Sequence, residues 1–150
     1  MTNAELMQQQ LRRLYFIFAT PAAVAILTIE LLRDFGGFEG IRLPESASLE
    51  VPVFVLAAAT GLALPILYRV IFVSVHRHHP HVSIEQLYRF EYNTTILAML
   101  TPYSAVIASL FSFDAFYTTG IFLFTLYAAY FHYPAQRRVK AEMRIFRVRK

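Results

Sequence analysis

Cysteine and tryptophan are both missing from the 150 residues. Without cysteine there are no disulfides, thiolate metal ligands or thiol nucleophiles. Without tryptophan, nine Tyr and fourteen Phe must supply any aromatic belt at a membrane surface. Charge is scarce as well. Only 16% of residues are Asp, Glu, Lys or Arg, where a soluble domain carries about 25%. The catalytic and phosphate-binding signatures GxSxG, HExxH and GxxxxGK are absent, so no motif supports an enzyme.

What is present is hydrophobic residue in long runs, 57% of the chain in all. That distribution points to a bilayer rather than to a soluble core. Four runs read as transmembrane helices, at 14–32, 51–75, 94–113 and 115–133. At about 1.5 Å per residue each approaches or exceeds the roughly 30 Å of a hydrocarbon core. The preceding residues, 1–10, are polar and read as a short amphipathic lead-in. A cleaved signal peptide is not expected, because the run after Arg12 and Arg13 is too long for its apolar segment. Pro21, Pro65 and Pro102 predict bends inside the runs, since proline removes a backbone donor and crowds the preceding turn.

The connections are legible from their turn residues. Gly36, Gly37, Gly40 and Pro44 make 33–50 a loop, and an acidic one, with Asp34, Glu39, Glu45 and Glu50. Pro80 stops the second helix. Ser83 followed by Gln86 has the capping-box pattern, so a new helix starts there. Asp114 is placed to cap the fourth run. Beyond Pro134, residues 135–150 carry seven Lys and Arg with Val139, Met143 and Phe146 on one side. That is a basic amphipathic helix, expected to lie along the membrane surface. Arg137, Arg138, Lys140, Arg144 and Arg147 are its candidate contacts to lipid headgroups or to a partner, and no nucleic-acid partner is expected.

Together these features define an all-α integral membrane protein. It is one domain of four transmembrane helices in two hairpins, followed by the basic helix. Arg12, Arg13, Arg77 and the basic tail fall on one side and the acidic loop on the other. The bias of Lys and Arg toward the cytoplasm then puts both termini there, in a multi-pass protein of a cell's inner membrane.

Candidate functional residues are few. His76, His78, His79 and His81 surround Pro80, and neutral imidazole binds Zn, Fe, Cu or Ni. His132, Glu85 or Glu91 could approach the same level of the membrane. One HRHH run does not supply the several separated histidine boxes of the four-span di-iron hydroxylases and desaturases. Ala57, Gly61, Ser104 and Ala108 form small-residue faces that let helices approach closely. Glu30 and Arg69 are the charges inside apolar runs, and such charges are either headgroup-level or functional.

Three functions follow as expectations. The first is a non-enzymatic subunit that packs with copies of itself or with other membrane subunits. The second is a metal-, haem- or quinone-dependent redox subunit or enzyme using the 76–81 turn. The third is a small transporter or channel in which Glu30 carries ions. The residues imply no particular cofactor.

Overall fold

The computed structural model describes residues 3–41, 49–77 and 82–145, and the regular structure in them is entirely helical. The first helix, α1 (Asn3–Asp34), absorbs the expected polar lead-in. The reason is local. Residues 5–14 are strong helix formers, and Met7, Leu11 and Tyr15 repeat every four residues and are all buried. Pro21 sits within α1 without ending it.

The second run forms α2 (Glu50–Ala58), a π-helical turn (Ala59–Ala63) and α3 (Leu64–His76) without a gap. Pro65 has no N–H to give the carbonyl one turn back, and the wider π turn immediately before it accommodates that loss. Gly61 lies in this turn. A Cβ there would come within 3.2 Å of Thr101 and 3.4 Å of the Phe124 carbonyl, so glycine is what allows two other helices to press against the turn. Beside it, Thr60 donates to the Leu56 carbonyl at 2.9 Å and meets the Thr101 hydroxyl at 3.0 Å. Since the Thr60 hydrogen is already engaged, Thr101 is the donor between them.

The third run divides at a single residue whose backbone stays helical, next to the expected bend. It comprises α4 (Ile84–Met99) and α5 (Thr101–Leu110), separated at Leu100 just ahead of Pro102. The capping box is formed: Gln86 N–H donates to Ser83 Oγ at 3.2 Å, and Ser83 N–H donates to Gln86 Oε1 at 3.1 Å. Two shorter helices follow, α6 (Ala115–Phe131) and α7 (Gln136–Ile145). Asp114 occupies the cap position of α6 but makes no side-chain cap bond. Instead Glu50 accepts the Asp114 N–H at 2.9 Å.

Three helical stretches are long and apolar enough to cross a membrane: Glu5–Asp34, Glu50–His76 and Ile84–Leu110. The apolar α6 is shorter, at 17 residues. Ala57, Gly61, Ser104 and Ala108 are all buried within the chain, where α2 and the π turn meet α5 and α6. The small-residue faces are therefore occupied by the protein's own helices. Phe54 fills the space beside Gly120 so closely that any Cβ there would strike its ring.

Contacts divide the bundle into two ends. At one end Arg33 donates to the Ser109 carbonyl at 2.6 Å, to Ser112 Oγ at 3.1 Å and to the Glu30 carboxylate at 3.2 Å. At the other, Tyr15 donates to the Ala129 carbonyl at 3.0 Å and α7 packs on the start of α1. Here the expected basic helix forms, and its apolar stripe is covered by the chain's own helices. Val139 is buried in a core with Met7, Leu11, Val82, Leu87 and Phe90. The physical reason is that the extension of α1 offers α7 a protein partner for its apolar stripe.

Candidate functional site

The site forms where α7 closes this second end. Four elements bring charged or polar groups together: Arg69 from α3, Glu91 from α4, His132 just past α6, and Arg138 with Glu142 from α7. Arg69 pairs with Glu142 at 3.0 Å, and Arg138 pairs with Glu91 at 3.2 Å. Arg138 also donates to the Phe131 carbonyl and lies over the Phe131 ring, 5.5 Å from its centroid. Two positive and two negative groups thus balance. Glu91 is within electrostatic reach of Arg138, Glu142 and Arg69 together.

Burial makes this arrangement unusual. Glu91 and Glu142 are each 5% exposed and His132 is 3% exposed. Charged residues are almost never fully buried unless paired. Each carboxylate uses one oxygen in its ion pair, and the other, Glu91 Oε1 and Glu142 Oε2, is buried without a hydrogen-bond partner. Such an orphan atom is costly and requires an explanation.

A cavity of about 110 Å³ adjoins the cluster. Its polar wall is Arg69, Glu91, Thr94, His132 and Arg138; its floor is Gly61 and Pro65 around the π turn. Single π turns recur at functional sites because they re-aim the following side chains. The remaining walls are apolar and include Phe90, Tyr127 and Phe131. Ile66, Val70, Tyr127 and Phe131 line the cavity and are also exposed, so its mouth opens sideways between α3 and α6. The arrangement can hold a molecule with an apolar body and a polar end.

The expected site residues are distributed differently. His76 ends α3, with Nδ1 2.9 Å from the Phe72 carbonyl and its ring against Phe72. His78, His79 and His81, the rest of the proposed metal cluster, lie outside the described residues, as does Arg147. Glu30 pairs with Arg33 at the opposite end of the bundle, far from the cavity-lining groups. Arg69 pairs with Glu142. Arg137, Lys140 and Arg144 are exposed, while Arg138 turns inward.

Sequence reasoning allowed His132 and Glu91 to reach the same level of the membrane, beside the histidine turn, but missed Glu142 and the pairing of these groups with Arg69 and Arg138. One signal for Glu91 was available: Leu87, Glu91, Thr94 and Ala98 follow the i, i+4, i+7, i+11 spacing of a buried helical stripe. Likewise Arg138 and Glu142 are one turn apart, flanking Val139 on the apolar side of the tail. Comparison with protein-family models, with curated proteins and with solved structures gives no match.

Proposed function

We propose that the protein is a multi-pass membrane protein that takes an amphiphile from the bilayer into the cleft between α3 and α6. The observation that carries this reading is the cavity that adjoins the two ion pairs, is lined on its polar side by Arg69, Glu91, Thr94, His132 and Arg138, and has an apolar, exposed mouth. Ionisable residues within a membrane protein mark ligand or ion pathways by default. Ligand pockets are mostly apolar with a few converging polar groups. In a bilayer an opening lined by Ile66 and Val70 meets lipid tails, and a head entering there meets the polar lining of Arg69, Glu91, Thr94, His132 and Arg138. The subunit reading drew on the small-residue faces and on the scarcity of polar residues inside the runs; the chain's own packing occupies those faces and the cavity gathers polar residues, so the cleft is the better guide.

Mass spectrometry of the organic extract from protein purified in mild detergent tests the proposal. A stoichiometric amphiphile is expected with the natural chain and not with Val70→Trp, which plugs the mouth without touching an ion pair. An extract no different from that of empty micelles would refute it.

The same reading takes four membrane crossings with both termini cytoplasmic. The contacts of α6 support it, because Phe116 stacks on Phe54 near one end and Ala129 meets Tyr15 near the other. A helix of 17 residues spans about 25 Å and falls at the short end of the crossing range. The absence of cysteine makes labelling direct. In whole cells Glu39→Cys should react with an impermeant maleimide, and Arg137→Cys should react only after permeabilisation. Should α6 not cross, both positions will label from the outside.

A further inference from the structure

We infer that the cleft selects a single-chain amphiphile with a small, anionic, hydrogen-bond-accepting head, of the class of long-chain carboxylates. The inference rests on the amphiphile reading above and adds the charge and size of the head.

Two arginines supply the donors. A guanidinium carries five N–H groups and no acceptor. Arg138 uses Nη1 on the Phe131 carbonyl and Nη2 on Glu91 Oε2. Arg69 reaches Glu142 Oε1 through Nη2 at 3.0 Å, its one ion pair among the described residues. N–H groups therefore remain on both, and both side chains line the cavity. The Arg138 side chain is only 20% exposed, so water does little for its remaining donors. A buried donor left unmet is costly. A ligand head that satisfies these groups must bring acceptor oxygens.

Charge and size narrow the class. The lining sets two guanidinium groups against a single carboxylate, Glu91. Its Oε1 is enclosed by the protein and closed to a ligand, and its Oε2 is taken by Arg138. Glu142 pairs with Arg69 from outside the lining. Thr94 gives its hydroxyl hydrogen to the Phe90 carbonyl at 2.8 Å, and His132 carries no negative charge in either protonation state. An anion is therefore the head that the lining favours. Hydrogen bonds from guanidinium to carboxylate are charge-assisted, about twice as strong as neutral ones, and the planar fork matches the planar head. The volume of about 110 Å³ is below the about 150 Å³ of a cavity that accepts benzene. A carboxylate with its first methylenes suits that scale, and a phospholipid head with its glycerol does not. The alkyl chain would leave through the mouth between Ile66 and Val70, which are exposed.

The test uses the full chain in phosphatidylcholine nanodiscs at mildly alkaline pH, with calorimetry corrected for empty nanodiscs. The probes are decanoate, methyl decanoate, decylammonium and acetate. Decanoate should bind about ten- to a hundredfold more tightly than its methyl ester, the size of one hydrogen bond to a charged group. Decylammonium should bind no better than the ester, and acetate, which lacks a tail, should not bind. Arg69→Met combined with Glu142→Leu removes a guanidinium without stranding its partner, and should shrink decanoate's advantage over the ester. A folded double variant that keeps the full advantage would overturn the role of Arg69. Should that variant fail to fold, the comparison of decanoate with its ester on the unaltered chain decides alone. Equal affinities for those two, or a preference for decylammonium, would overturn the anionic head and leave the amphiphile reading standing. Acetate binding as tightly as decanoate would overturn the amphiphile reading itself. Binding of none of the four would overturn both.

Discussion

Arg138→Met will destabilise the protein by about 3–5 kcal/mol, the cost of leaving a buried charge without its partner. The stranded group is Glu91, 5% exposed on α4, whose Oε1 has no hydrogen bond even in the intact protein. Loss of Arg138 removes the guanidinium from Oε2 as well, together with the bond to the Phe131 carbonyl and the packing on the Phe131 ring. Replacing both partners by apolar residues is a different experiment. Glu91→Leu combined with Arg138→Met should recover most of the loss, because a buried pair is often neutral relative to hydrophobic residues of similar volume. Unfolding curves in detergent for the two single variants and the double variant give the coupling directly. A double variant as unstable as the sum of the singles would show that the two residues do not act as a pair. Ligand retention should still be lost in the stable double variant, which separates the cluster's role in the site from its role in folding.

Phe90→Ala is expected to cost a similar amount, about 3–5 kcal/mol, by a different route. Phe90 is 2% exposed and stacks between Phe72, at 4.3 Å, and Tyr68, at 5.5 Å between centroids. Truncation removes the central ring of that stack and leaves a void, and the dense surroundings relax only in part. Phe90→Leu keeps most of the volume and should cost less than half as much. The two unfolding measurements discriminate packing from a specific ring interaction. Because Phe90 also lines the ligand cavity, the alanine variant should admit bulkier ligands than the natural chain does.

Much of the architecture was readable from residue order. The apolar runs, the Ser83–Gln86 capping box and the glycine-rich loop each follow from local chemistry, and the helices begin or end within a few residues of those signals. Local rules could not supply which helix faces meet. Met7 looked like part of a short lead-in until α7 was available to cover it, together with Leu11. Arg69 and Arg138 read as headgroup contacts because their carboxylate partners lie far along the chain, 73 residues away for Glu142 and 47 for Glu91. Charge pairing at such separations is a property of the fold. The histidine-rich turn drew attention by its density, yet the geometry that converges on a cavity uses the isolated His132.

The late position of α7 bears on how the protein is made. Ribosomes deliver Arg69 and Glu91 well before Glu142 and Arg138, so during synthesis each early charge waits beside the bilayer without its counter-ion. A nascent chain stalled or truncated ahead of Arg138 would expose both to quality-control proteases. Completion of α7 is then the event that pairs them. A chain shortened before Arg138 should accordingly be degraded in membranes where the full chain accumulates.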